Sequence, residues 1–264
     1  MTESTLKASN TAGTLLKGLQ VLEAFDAGHR ELSLTEVVRL TGLEISGARR
    51  LLFTFVSAGY LDQDSRTRRY RLSAKVLRWS VAFLGADPLV SCAYPILENI
   101  SRETGRQFEL SVLKGDTCVL LLSMPGEKGK LSFIDGPSIG VREPAFCSST
   151  GIAILSRLPS RSVFDLLSAC PRNKLTKHTV TDIDQVMGFV ADAQDRGYSL
   201  TDRSCHPRAI SIGAPVVDYA GQPAAAIAIS LEAGQFSLSQ AVSEFSEIVV
   251  KTAQSISHAY QRAT

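Results

Sequence analysis

Arginine is concentrated in one short part of the chain. Arg49 and Arg50 stand in the segment "ISGARRLL", and four more arginines follow within six residues in "RTRRYR", namely Arg66, Arg68, Arg69 and Arg71. A guanidinium group presents its N–H donors in a planar fork that matches phosphate oxygens and the edge of guanine. DNA contact is therefore one interpretation and a solvated charged hairpin is the other. The elements that carry these arginines decide between them.

The charge of the chain is unevenly distributed. Its 28 Lys and Arg against 26 Asp and Glu give a formal net charge of only +2. Residues 1–80, however, hold 12 Lys and Arg against 8 Asp and Glu, so the positive excess belongs to the N-terminal part. Such an asymmetry indicates an anionic partner for one domain rather than for the whole protein.

Three helices are predicted ahead of the arginine-rich hairpin. The first covers residues 14–27, with apolar residues at helical spacing, and Gly28 follows it. The second begins with the capping box Ser33–Glu36, in which each side chain satisfies a backbone N–H group of the other residue, and stops at Gly42. The third runs over about 46–58 and is closed by Gly59. Two short helices joined by a tight turn have the layout of a helix-turn-helix.

Two short strands are predicted after the third helix. "YLDQD" and "RRYRL" flank the turn "DSRT", and three helices followed by a β-hairpin form a winged helix-turn-helix. We assign this domain to residues 14–72 and a flexible tail to residues 1–13. The start of the recognition helix enters the major groove in such domains, and the wing lies along the flanking backbone or reaches the minor groove. The predicted DNA-binding residues are Ser33, Thr35, Ser46, Gly47, Arg49, Arg50, Thr54, Arg66, Arg68 and Arg69.

A linker helix and a second domain are predicted downstream. The linker covers residues 73–90, and its narrow apolar seam is typical of a helix that pairs with another helix: Ala74, Leu77, Val81 and Leu84. Asp87-Pro88 interrupts it. Residues 91–264 combine hairpins with helices that do not alternate one for one with strands, which favours an α+β fold with a largely antiparallel sheet. This part includes a strand at 130–134 and a helix capped at Thr181.

The chain resembles the IclR family of transcriptional regulators along nearly its whole length. "LSLTEVVRLTGLEISGARRLLFTFVSAGYLDQD" is similar to the family's helix-turn-helix, "CSSTGIAILS" to its small-residue helix, and "ISIGAPVVDYAGQPAAAIAIS" to its late strands. Three positions depart from the family pattern: Gly47 replaces a small hydroxyl residue, Ile152 a lysine and Arg208 a glycine. The resemblance implies a GAF-like antiparallel-sheet C-terminal domain with flanking helices, an operator bound by a homodimer or homotetramer, and control by a small-molecule effector.

The resemblance also implies where the effector binds. The predicted effector-binding residues are Cys147, Ser148, Ser149, Thr150, Cys205, Ser211 and Ser230. The residue types agree with this, because free N–H groups at a helix start favour a carboxylate and inward serines add hydrogen bonds without bulk. A small organic acid is the expected effector, with aromatic acids as candidates. The alternative is that Cys147, Ser148 and Ser149 merely cap a helix.

The chain also contains residues that permit a catalytic interpretation. Cys147 at a helix start could act as a nucleophile with His206 as base, but no catalytic or phosphate-binding motif accompanies them. The four histidines and five widely spaced cysteines show no metal-ligand spacing. We therefore predict a DNA-binding regulator that is not an enzyme and needs no cofactor or metal. A metabolite-binding protein that acts through protein contacts is the alternative.

The sequence gives one further indication, about location. The N-terminal residues lack the basic-then-apolar layout of a secretory signal, and no apolar run approaches the roughly 18–20 residues of a membrane span. The odd number of cysteines argues against a disulfide framework. These features predict a cytoplasmic protein.

Overall fold

The computed structural model describes residues 11–26, 28–127 and 139–264, so residues 1–10 of the predicted tail and the predicted strand 130–134 lie outside it. The contacts divide the chain into an N-terminal unit that ends at Phe83 and a C-terminal unit that begins at Leu84. Within the described ranges no single helix is long and apolar enough to cross a membrane. The bent pair 74–86 and 88–104 meets the length and composition test only when the two helices are taken together.

The N-terminal unit is a winged helix-turn-helix, as predicted. It contains α1 (Gly13–Glu23), α2 (Leu34–Thr41), α3 (Ile45–Ser57) and the antiparallel strands β1 (Leu61–Gln63) and β2 (Tyr70–Leu72). Apolar residues from all of these elements and from the α1–α2 connection form one core: Val21, Phe25, Leu32, Val37, Ala48, Leu52, Leu61 and Tyr70. The core leaves the opposite faces of α2 and α3 in solvent.

The first helix ends earlier than its apolar spacing predicts. α1 stops at Glu23 instead of residue 27. The carboxylate of Asp26 accepts hydrogen bonds from the backbone N–H groups of Gly28 and His29, at 2.8 and 2.7 Å, and this turn competes with helical continuation. The buried face of α1 includes Val21, whereas Leu15, one of the apolar residues at helical spacing, is 63% exposed.

The linker is made of three helical pieces rather than one. A 3₁₀ turn at Ala74–Val76 leads into α4 (Leu77–Ala86), and α5 (Pro88–Thr104) begins after Asp87. The Asp87 side chain caps α5 by accepting from the N–H of Leu89 at 2.9 Å. Proline suits the first position of a helix because it lacks the N–H that would otherwise be unpaired there. The Asp-Pro pair therefore starts a new helix as well as ending the old one.

An antiparallel sheet forms the centre of the C-terminal unit. Its strands are β3 (Phe108–Lys114), β4 (Thr117–Met124), β5 (Arg142–Pro144), β6 (Ser199–Asp202), β7 (Ala209–Val217) and β8 (Pro223–Glu232), in the order β5-β4-β3-β8-β7-β6. The connecting helices are α6 (Ser149–Leu155), α7 (Ser160–Ala169) and α8 (Ile183–Arg196), and α9 (Leu238–Ala263) closes the chain. The predicted α+β class is confirmed.

The two faces of this sheet have different coverings. One face packs on α5 and α9 through aliphatic residues such as Ile212, Ile229 and Val249. The other face carries small residues and packs on α6, which approaches β7 closely. A Cβ atom added to Gly213 would lie 2.7 Å from the carbonyl oxygen of Ser149. Glycine is therefore required at residue 213 for α6 to lie this close to the sheet.

Two helix starts in the C-terminal unit test the predicted caps. α8 is capped by Asp182, whose carboxylate accepts from the N–H of Gln185 at 3.0 Å. The predicted cap at Thr181 was wrong by one residue, because the adjacent Asp182 is the stronger N-cap residue and takes this role. The capping box of Ser237 and Gln240 at the start of α9 is confirmed.

Candidate DNA interface and ligand site

The start of α3 presents polar side chains to solvent. Ser46, Arg49 and Arg50 are exposed, whereas Ala48 and Leu52 on the opposite face are fully buried. The helical period places these two sets on different faces, so the core fixes which residues of α3 point outward. Further along the helix, Thr54 is exposed and its hydroxyl donates to the carbonyl of Arg50 at 2.8 Å.

The wing is a tight hairpin organised by Asp64. Its carboxylate accepts hydrogen bonds from the N–H groups of Arg66 and Thr67 at 2.9 and 2.6 Å, and these bonds hold the pKa of Asp64 below its usual range. Arg68 adopts the left-handed backbone conformation, with φ of 59°. Arg66 and Arg68 are both exposed at this tip. The hairpin thus offers two cations on a locally fixed backbone.

Arg69 differs from Arg66 and Arg68 because its charge is paired within the domain. The guanidinium donates to both carboxylate oxygens of Glu36, at 2.9 and 2.8 Å. Glu36 is also the partner of Ser33 in the capping box, and the Ser33 N–H and hydroxyl bonds, followed by the Arg69 charge, lower the pKa of Glu36. Arg69 therefore joins the wing to the start of α2, where Thr35 is exposed.

The predicted effector residues at the start of α6 are buried. Cys147, Ser148, Ser149 and Thr150 are each less than a tenth exposed. The Ser148 hydroxyl caps the helix by accepting from the N–H of Gly151 at 3.2 Å. The Thr150 hydroxyl is buried without a hydrogen-bond partner among the described residues, and the adjacent Cys118 thiol is at most a weak partner. Such a buried hydroxyl is available to a ligand.

A row of hydroxyl groups crosses the late strands on the face that packs on α6. Thr201 on β6 lies opposite Ser211 on β7, which lies opposite Ser230 on β8. The hydroxyls of Ser211 and Ser230 are 2.9 Å apart. The predicted strand serines are therefore brought together, and Thr201 extends their row.

An acidic residue shares this face of the sheet. Glu109 on β3 lies opposite Ala228 on β8, which in turn lies opposite Gly213. Desolvation, with a smaller contribution from the negative charge of Glu143, raises the pKa of Glu109 to about 7. Its carboxyl group accepts a hydrogen bond from the Gln107 side chain at 2.7 Å. Near neutral pH this position can therefore carry a proton.

A cavity of about 300 Å³ lies beside the start of α6. Its wall combines apolar and aromatic side chains with a few polar ones: Phe146, Cys147, Ile152, His178, Val180, Phe189, Leu200, Thr201, Asp202, Ser204 and Leu238. The Nε2 atom of His178 is buried without a partner among the described residues. Of the predicted effector residues, Cys147 lines this cavity, and Thr201 links it to the hydroxyl row. The remaining predicted residue, Cys205, lies with its sulfur 3.2 Å from that of Cys147.

Comparison with known protein families identifies the two units. The model of the IclR helix-turn-helix domain matches residues 14–65, and that of the bacterial transcriptional regulator IclR C-terminal domain matches residues 81–258. The chain belongs to the IclR family. It is a DNA-binding transcriptional regulator with an effector-binding C-terminal domain, and the family consists of regulators rather than enzymes.

Relatives of this IclR-family chain extend over most of its length. The Pca regulon regulatory protein of Pseudomonas putida is 28% identical over 93% of this chain and 83% of its own. The p-hydroxybenzoate hydroxylase transcriptional activator of Acinetobacter baylyi is 29% identical over 81% of this chain and 79% of its own. The name of the second relative refers to p-hydroxybenzoate hydroxylase, and that of the first refers to the Pca regulon.

Solved structures of IclR-family regulators share the fold. A transcriptional regulator of Rhodococcus sp. RHA1 superposes with a TM-score of 0.82 at 27% identity, covering 96% of this chain and all of its own. An IclR homologue of Microbacterium hydrocarbonoxydans, crystallised with 4-hydroxybenzoate, superposes with a TM-score of 0.78 at 23% identity over 95% of this chain and all of its own.

Several residues at the site of this IclR-family chain were not predicted from the sequence. Thr201 could have been found as a hydroxyl residue on the strand directly before that of Ser211, since strands that are consecutive in the chain often pair. His178 and Asp202 carry no such signal, since a long loop and a strand end bring them to the cavity. The Arg69–Glu36 pair was also missed, because 33 residues separate the partners.

Proposed function

We propose that this regulator reads DNA with the start of α3 and contacts the phosphate backbone with the tip of the wing. The observation that carries the proposal is the exposure of Arg49 and Arg50 on the face of α3 opposite its buried residues. Ser46, Gly47 and Thr54 belong to the same helix and form the rest of the proposed surface. Arg66 and Arg68 supply phosphate contacts, which position the protein without reading sequence.

A different role in DNA binding is proposed for three further residues: Ser33, Thr35 and Arg69. Ser33 and Arg69 both bond to Glu36, so their first effect on DNA binding is to hold the wing and α2 in place. Thr35 is exposed in the first turn of α2 and is proposed to contact the backbone. Loss of Arg69 should therefore weaken binding to all sequences.

Affinity measurements at several salt concentrations separate these roles. Arg50→Ala should relax base specificity by about 1–3 kcal/mol, and Arg68→Ala should reduce the salt slope by about one unit while leaving base preference unchanged. Arg161→Ala, on α7 of the C-terminal unit, is the matched control for the loss of an exposed arginine. Wild-type affinity and salt slope in both N-terminal variants would contradict the assignment.

We propose further that the protein acts as a homodimer, with a dimer of dimers as the larger form. The described part of the N-terminal unit leaves large apolar side chains in solvent, among them Leu15 on α1 and Leu77 and Val81 on α4. Exposed apolar surface of this kind marks a protein interface. Of the four predicted seam residues, Leu84 packs against the core of the C-terminal unit and Ala74 lies in the 3₁₀ turn before α4, so Leu77 and Val81 remain as the proposed seam on α4. As a regulator acting on DNA, the protein is assigned to the cytoplasm.

We propose that the effector is a small aromatic acid bound beside the start of α6. Phe146 and Phe189 in the cavity suit an aromatic ring. The Thr150 hydroxyl and the serine row lie outside the cavity wall, and Thr201 connects the wall to that row, so they would supply polar contacts to a ligand that extends beyond the cavity. The relative named for p-hydroxybenzoate hydroxylase, and the Microbacterium homologue crystallised with 4-hydroxybenzoate, support this class of ligand. Ligand binding would shift the balance between dimer arrangements and thereby change operator affinity.

A thermal-shift titration tests this ligand class. A ligand that binds the folded protein should raise its Tm by several degrees when the ligand concentration is well above Kd. 4-Hydroxybenzoate and benzoate are the probes. Ser211→Ala should weaken the shift, whereas Ser255→Ala, on the exposed side of α9, should preserve it. An unchanged Tm with both probes, or an equal shift in both variants, would count against the proposed site.

A further inference from the structure

Two thiol groups meet beside the start of α6. The sulfur atoms of Cys147 and Cys205 are 3.2 Å apart, although the residues are separated by 58 positions in the chain. A disulfide bond requires about 2.05 Å between the sulfurs, so the two atoms have to approach by about 1 Å. Neither residue contributes to the winged helix-turn-helix. The pair is thus a chemical feature separate from DNA reading.

The backbone on both sides holds the two thiols in place. The hydroxyls of Thr176 and Thr179 donate to the carbonyls of Arg203 and Ser204 at 2.6 and 2.7 Å, which fixes the chain just before Cys205. On the other side, the N–H of Ser148 donates to the carbonyl of Pro144 at 3.2 Å as α6 begins. Because a cysteine has a single torsion between Cα and sulfur, fixed backbones keep the sulfurs together.

Cys147 is shielded from bulk solvent but borders the cavity. Its side chain is 3% exposed, and it lines the cavity of about 300 Å³ whose wall also includes the exposed residues Phe189 and Leu238. A hydroperoxide as small as hydrogen peroxide can enter a space of this size. The cavity therefore supplies a route to Cys147, and the partly exposed Cys205 lies with its sulfur 3.2 Å from the sulfur of Cys147.

We propose that Cys147 and Cys205 form a peroxide-reactive pair that closes to an intrachain disulfide. The Cys147 thiolate attacks one oxygen of hydrogen peroxide, the O–O bond breaks, and the departing hydroxide takes a proton to become water. Cys147 is then a sulfenic acid. The Cys205 sulfur attacks it, the S–O bond breaks, and that oxygen leaves as a second water with the remaining protons. Two cysteine sulfurs are oxidised and two peroxide oxygens are reduced, and a dithiol reductant reverses the change.

Peptide mapping of the full-length wild-type protein tests the proposal. The reduced protein is exposed to hydrogen peroxide, its free thiols are blocked with iodoacetamide, and it is digested with trypsin. We expect the peptides EPAFCSSTGIAILSR (143–157) and SCHPR (204–208) to be recovered joined to each other, and to separate on reduction. Recovery of both peptides as alkylated free thiols would overturn the proposal. So would a bond from Cys147 to Cys118 or Cys170, which lie in the same core cluster.

A pair of variants tests the order of the two steps. In Cys205→Ser the sulfenic acid of Cys147 has no thiol to react with, so it should accumulate and be labelled by dimedone. Cys92→Ser, on α5, is the matched control and should form the disulfide as the wild type does. Absence of label on Cys147 in folded Cys205→Ser would contradict the assignment of Cys147 as the first sulfur oxidised. If that variant does not fold, the wild-type peptide map decides the proposal alone.

Discussion

Gly47 is the residue at which the proposed DNA surface departs from its family's pattern. It lies in the first turn of α3 where a small hydroxyl residue is usual, between the exposed residues Ser46 and Arg49. A Cβ atom added at this position would meet nothing within 4 Å. The protein therefore has room for a hydroxyl side chain that it does not use.

The substitution Gly47→Ser should increase DNA affinity. A new hydrogen bond to the duplex contributes roughly 1 kcal/mol, or about five-fold in affinity. Gly47→Ala is the matched control, because it gains helix propensity of about 1 kcal/mol without adding a donor. Fluorescence anisotropy with one duplex measures both variants. An equal gain from serine and alanine would show that helix stability, rather than the hydroxyl, limits binding.

Individual side chains were predicted with uneven success, and the reason is physical. Local partners could be inferred, since the Ser33–Glu36 and Ser237–Gln240 bonds lie within one helical turn. Partners distant in sequence could not be inferred, because only the folded chain brings together Arg69 with Glu36 or Cys147 with Cys205. The residue types therefore predicted that the arginines contact DNA. They did not show that one of them, Arg69, already forms an ion pair with Glu36.

At the scale of elements, α2 and the wing depend on one small polar network. The Ser33 hydroxyl accepts from the N–H of Glu36 at 3.3 Å and donates to its carboxylate, which also binds Arg69. The start of α2 and the hairpin are therefore ordered together. Loss of the cap should loosen both elements.

The substitution Ser33→Ala should destabilise the N-terminal unit by about 1 kcal/mol through loss of the cap. Trp79 is the single tryptophan of the chain and stacks on Tyr60 within this unit, with ring centroids 4.9 Å apart, so its fluorescence reports unfolding there. A urea titration followed by this signal gives the change. Ser33→Thr keeps the hydroxyl and should retain most of the stability; equal losses in both variants would argue against the cap as the cause.

Helices and strands were predicted correctly where the apolar spacing and the turn residues indicated the same boundaries. The helix–turn–helix, the hairpins and the strands after α8 follow from apolar periodicity and glycine stops. The ends of α1 and α8 were misplaced because competing polar side chains, Asp26 and Asp182, decide them locally. The order of strands in the sheet could not be derived, since it depends on contacts between distant parts of the chain.

At the scale of the whole molecule, DNA binding and effector binding belong to different units of the chain. The basic excess lies in the N-terminal part of the chain, and the cavity and hydroxyl row lie in the C-terminal unit. In the proposed mechanism, a ligand changes the operator affinity of a dimer. The exposed apolar residues of α1 and α4 are the surface that a dimer would cover, and the proposed regulation depends on the pairing of two protomers there.

The most direct test of this account is selection of binding sites from random duplex DNA. A dimer should enrich an inverted repeat whose half-sites lie roughly 34–36 Å apart or a multiple of this distance. Val81→Glu places a charge on a side chain that is 70% exposed, so it should spare the fold but oppose pairing and enrich at most single half-sites. Ser80→Glu, at an exposed polar neighbour, should behave as the wild type. Enrichment of an unpaired site by the wild-type protein, or of the same repeat by Val81→Glu, would contradict the account.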